Sequence, residues 1–159
     1  MNDTSVPSTL PTVDNQMDDD SNLIMGLVGG GIAMLVSAAI WGAVTYFTEY
    51  QIGWMAIGVG FLVGIAVKFF GKGKTPIYGI MSAAFALVGC ALGNLLFYSG
   101  FIAREEGVAF LEVFFFFLFS PVDTIELFSI AFEFMDILFY GLAAWVGYGA
   151  ALDIRRNRA

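Results

Sequence analysis

Four apolar stretches, at residues 23–47, 52–70, 76–102 and 130–152, dominate the hydropathy pattern of the chain. Each is close to the ~20 residues that an α-helix needs to cross the hydrocarbon of a bilayer. The pattern predicts an all-α, polytopic membrane protein with four transmembrane helices in one bundle spanning residues 23–153. The connection 103–130 departs from the short turns elsewhere. Its Phe-rich run 108–119 is too short to span and is interrupted by Ser120-Pro121, so it is expected to form an outer interfacial or re-entrant helix before the last span. The whole segment 105–129 is expected to be amphipathic.

Composition agrees: 58% of residues are hydrophobic, 13% are charged and the mean hydropathy is +0.80, beyond an ordinary soluble domain. Net charge is −7, which argues against nucleic acid as a partner because its phosphates attract basic patches. The chain has no histidine and a single cysteine, Cys90. This removes His-ligated haem, the usual zinc sites, His-based acid/base catalysis and any intrachain disulfide, and no cofactor is expected. Cys90 lies among Gly89, Ala91 and Gly93, where a small side chain suits packing.

Residues 1–22 are acidic, with five Asp and no Lys or Arg, and lack apolar periodicity; they are expected to be a disordered tail. Without a basic n-region ahead of a short apolar core, the first span is expected to remain in the mature protein. Orientation follows from the basic residues. Lys68, Lys72 and Lys74 bracket the second turn, Arg155, Arg156 and Arg158 end the chain, and only Arg104 falls in the other set of loops. The positive-inside rule then puts both termini on the cytoplasmic side, with Lys72, Lys74, Arg155 and Arg156 at lipid headgroups. In the turn 71-GKGKTP-76, Gly71 and Gly73 are expected to supply unusual backbone angles and Pro76 to open the next helix.

Glycine and alanine recur at three- and four-residue intervals inside every span. Gly26 and Gly30, Gly60 and Gly64, Gly89 and Gly93, and Gly147 with Ala143 and Ala151 each place small residues on one helix face. In lipid, helices associate by close packing, so such stripes predict tight helix–helix contact. Trp41, Tyr46, Tyr50 and Trp54 cluster near the 48-TEYQIG-53 turn and are expected at the headgroup level. Asn94 is a carboxamide inside the third span and needs a partner on a neighbouring helix, either a structural hydrogen bond or a substrate.

Seven acidic residues run from Glu105 to Asp136. On one continuous helix, Asp123, Glu126, Glu133 and Asp136 would share an arc of about 140° at ~100° per residue, opposite Leu127, Phe128, Ala131, Met135 and Leu138. The expected role of this arc is a solvated or docking face. A cation-attracting vestibule is the sharper alternative.

The segments 49-EYQIGWMAIGVGFLVGIAVKFFGKGK-74, 88-VGCALGN-94 and 136-DILFYGLAAWVGYG-149 resemble a poorly characterised group of bacterial four-helix membrane proteins with a YQIGWMAIGVGFLVG-like core. The resemblance implies the four-helix fold and carries no activity with it. The expected function is a non-enzymatic membrane subunit or scaffold that assembles in the bilayer with a second copy or another membrane protein. The alternative is a small cation channel or transporter using Glu133 and Asp136.

Overall fold

The computed structural model describes residues 22–49, 53–73, 75–131 and 134–152. They form six helices: α1 (Leu23–Thr48), α2 (Trp54–Gly71), α3 (Pro76–Glu106), α4 (Phe110–Phe119), α5 (Pro121–Ala131) and α6 (Phe134–Leu152), with no strand among the described residues. The expected tail, apart from Asn22, and the basic C-terminal end lie outside the described residues.

Helices α1, α2, α3 and α6 are long and apolar enough to cross a membrane. Their packing is rhombic. Helices α2 and α3 touch each other and both touch α1 and α6, whereas α1 and α6 do not meet among the described residues. The core consists mainly of small residues, such as Ala56, Val59, Val63, Val67, Ala86 and Ala143, with Trp41 and Tyr78 as its large members. Bulky apolar residues point outward instead, among them Ile24, Ile32, Phe47, Phe69 and Trp145. A water-soluble bundle would reverse this arrangement; in lipid, a bulky exterior costs nothing and a fine-grained interior lets backbones approach.

Local chemistry sets the helix ends. The Asn22 carboxamide accepts a hydrogen bond from the Met25 N–H at 3.2 Å, capping α1, and the Asn22 N–H donates to the Gly71 carbonyl at 2.9 Å. The start of α1 is thereby tied to the end of α2. Pro76 opens α3. The left-handed residue of the α2–α3 turn is Lys72 (φ 51°), and neither Gly71 nor Gly73 has positive φ, contrary to expectation. Both glycines instead accommodate the Tyr78 ring, which a Cβ at either position would strike.

The acidic pair Glu105 and Glu106 belongs to the end of α3, not to a separate amphipathic segment. Gly107, at φ 67°, terminates that helix in the left-handed region and donates its N–H to the Ala103 carbonyl. Helices α4 and α5 then form an arm, bent by 103° at Ser120-Pro121. At ~1.5 Å per residue, neither is long enough to cross the ~30 Å hydrocarbon layer. Helix α4 leans on α3, while among the described residues α5 touches only α4 and has no buried member.

Candidate functional site

Polar groups inside the bundle concentrate where α3 meets α6. Cys90, Asn94 and Tyr98 stand one helical turn apart on α3, and Asp136 and Tyr140 stand one turn apart on α6. The Asn94 carboxamide N–H donates to the Tyr140 hydroxyl at 3.1 Å. That hydroxyl also lies within electrostatic range of Cys90, Asp136 and Tyr98. Further along the same interface, the Ser82 hydroxyl donates to the Gly147 carbonyl at 2.8 Å. The two helices therefore meet through a polar ladder with an apolar exterior. Such contacts hold because a polar group turned to hydrocarbon would lose its partners.

Asn94 has a partner on a neighbouring helix, as its carboxamide needs, in Tyr140. Asp136 does not take the expected place. It is 5% exposed, while Met135 and Leu138, expected on the apolar face opposite the arc, are more than half exposed. Asp123 and Glu126 are exposed on α5 and are not brought together with Asp136. The cause is packing: Asp136 sits where α6 enters the bundle and is covered, while α5 packs only on α4 among the described residues. In an apolar surround the carboxylate turns toward polar groups and the alkyl side chains turn away. Glu133 lies outside the described residues, as do Lys74, Arg155 and Arg156. Lys72 is exposed at the end of α2.

The seven glycines singled out from the sequence are all buried at close approaches. A Cβ on Gly60 would meet the Ala143 carbonyl oxygen, and one on Gly64 would lie 2.8 Å from the Gly147 oxygen. A Cβ on Gly26 would lie 3.1 Å from the Gly71 Cα, Gly30 faces Val67 and Phe85, and Gly89 faces Val59 and Met34. Gly147 faces Ser82. Gly93 opens a notch filled by Trp41, whose indole is 2% exposed. Trp41 is thus a core residue rather than a headgroup marker, in contrast to Trp54, which is 80% exposed. Tyr46 is partly exposed and Tyr50 lies outside the described residues.

Sequence reasoning missed Tyr140, Tyr98 and Ser82. The usable signal was the four-residue spacing of Cys90, Asn94 and Tyr98, matched by that of Asp136 and Tyr140. Chemically, the ladder offers one carboxylate, two phenols, an amide, a thiol and a serine hydroxyl. Among the described residues, no three His, Cys, Asp or Glu side chains gather in a group that could hold a metal ion. Compared with known protein families, curated proteins and solved structures, the chain matches none.

Proposed function

We propose that the chain is a non-enzymatic integral membrane subunit that assembles with a second copy or with another membrane protein. The observation that carries this reading is the α4–α5 arm. Among the described residues helix α5 packs on α4 alone, and Val122, Ile125 and Ile130 on it are each at least two-thirds exposed beside Asp123 and Glu126. A helix of 11 residues is marginal by itself and gains stability from a surface laid against it. Photo-cross-linking from Ile125 in native membranes tests the assignment.

In this reading the protein sits in a bacterial inner membrane with both termini cytoplasmic. The Arg104 end of the bundle faces outward, and α4–α5 lies in the outer interface or re-enters it. The bias of six basic residues to one supports the orientation. The backbone approaches at Gly60, Gly64 and Gly147 support packing of the spans through Gly/Ala stripes.

Asp136 favours a second reading, a cation pathway along the α3/α6 interface. A carboxylate buried on a span one helical turn from Tyr140, whose hydroxyl accepts from Asn94, has the chemistry of a relay or ion ligand. Flux through purified protein in proteoliposomes distinguishes the two.

A further inference from the structure

Where α1 runs beside the last turns of α3, the bundle surface opens into a cleft of about 580 Å³. Ala39, Gly42 and Ala43 of α1 line it together with Gly100 and Ala103 of α3. Small side chains on both helices leave a furrow that larger ones would fill. From Leu96 to Arg104, the α3 residues lining it cover about 12 Å of helix at ~1.5 Å per residue, parallel to the span. The furrow is therefore apolar, elongated and aligned as a lipid chain would be.

Its lining contains one charged side chain, Arg104, in the final turn of α3. The guanidinium lies 3.4 Å from a Glu49 carboxylate oxygen, with the two side chains 65% and 73% exposed. A guanidinium carries five N–H donors, and this single long contact leaves most of them facing outward. Glu105 and Glu106 follow directly and are exposed. Three acidic residues, Glu49 at the end of α1 and Glu105 and Glu106 in the last turn of α3, thus share this end of the bundle with one arginine. That pattern disfavours a headgroup of net negative charge and suits one bearing both a phosphate and an ammonium.

We infer that this cleft binds a zwitterionic phospholipid of the phosphatidylethanolamine type. One acyl chain lies along the Ala/Gly furrow, the phosphate accepts from Arg104 and the primary ammonium donates to Glu49. The inference rests on the spans lying in a bilayer and is independent of assembly through α5.

The full chain, purified in mild detergent and passed through nanodiscs of equal phosphatidylethanolamine and phosphatidylglycerol, is tested by native mass spectrometry. The parent should retain phosphatidylethanolamine in preference to phosphatidylglycerol. Arg104→Gln should lower retention roughly tenfold, as expected for loss of a charge-assisted hydrogen bond. Glu49→Gln should keep the lipid but lose the preference between headgroups. Ala43→Phe, at an exposed position, should displace the lipid while leaving helical content and melting unchanged. Equal or greater retention of phosphatidylglycerol by the parent would overturn the inference. So would undiminished retention by Ala43→Phe, or a lipid-free dimer. Failure of the chain to fractionate with membranes would instead contradict the bilayer reading itself.

Discussion

Asn94 and Tyr140 are 46 residues apart in sequence, and a 3.1 Å hydrogen bond joins them across the α3/α6 interface. In hydrocarbon the amide has few alternative partners, so the contact also fixes the rotation of α6 about its axis. A double-mutant cycle with Asn94→Ala and Tyr140→Phe should give a coupling energy of about 1 kcal/mol, within the range for polar pairs between membrane helices. Additive effects on thermal unfolding in detergent would show that the pair is not coupled.

Glycine substitutions separate close approach from mere composition. Gly60→Leu drives its Cβ into a backbone carbonyl of α6, which no rotamer change can relieve, whereas Gly58 has nothing within 4 Å. The expected loss for Gly60→Leu is about 3 kcal/mol, the upper part of the range for forced overpacking. Gly58→Leu should unfold like the parent. Equal melting of the two variants would place Gly60 on a lipid-facing surface.

Asp136 discriminates between the functional readings. For a membrane subunit, cation flux into proteoliposomes should not rise above that of empty vesicles, and Asp136→Asn should leave assembly intact. Flux that the parent supports and Asp136→Asn abolishes would move the function to the pathway reading, since an intramembrane carboxylate supplies the binding charge there.

The proposed orientation rests on the basic residues alone. A reporter fused after Ala159 should be active in the cytoplasm, and a reporter inserted near Glu105 should be active only outside. The opposite labelling would invert the bundle and place Arg104 at the inner surface.

Much of the architecture was legible because each span carries its own solvent signal. The stretches 23–47 and 76–102 coincide with α1 and α3, although α3 continues to Glu106 before Gly107 stops it. Hydropathy reports depth along the bilayer normal and not rotation about a helix. That is why Trp41 was placed at the headgroups from its position near the 48–53 turn, while the notch at Gly93 that receives its indole was invisible. Asp136 shows the same limit. An arc orders side chains about one axis without saying which of them the bundle covers, and the bundle buries Asp136 while leaving Asp123 and Glu126 exposed. Asn94 advertised its need for a partner, but its partner Tyr140 could be named only once α3 and α6 were brought together.

Assembly through the α4–α5 arm is the central claim, and a photo-reactive side chain replacing Ile125 in native membranes tests it most directly. The same group replacing Ile32 on α1, also exposed and apolar, is the reference. The predicted result is a discrete adduct at Ile125, either twice the 17.2 kDa chain mass or the chain plus one other protein, with only lipid adducts at Ile32. Lipid adducts alone at both positions would contradict the account.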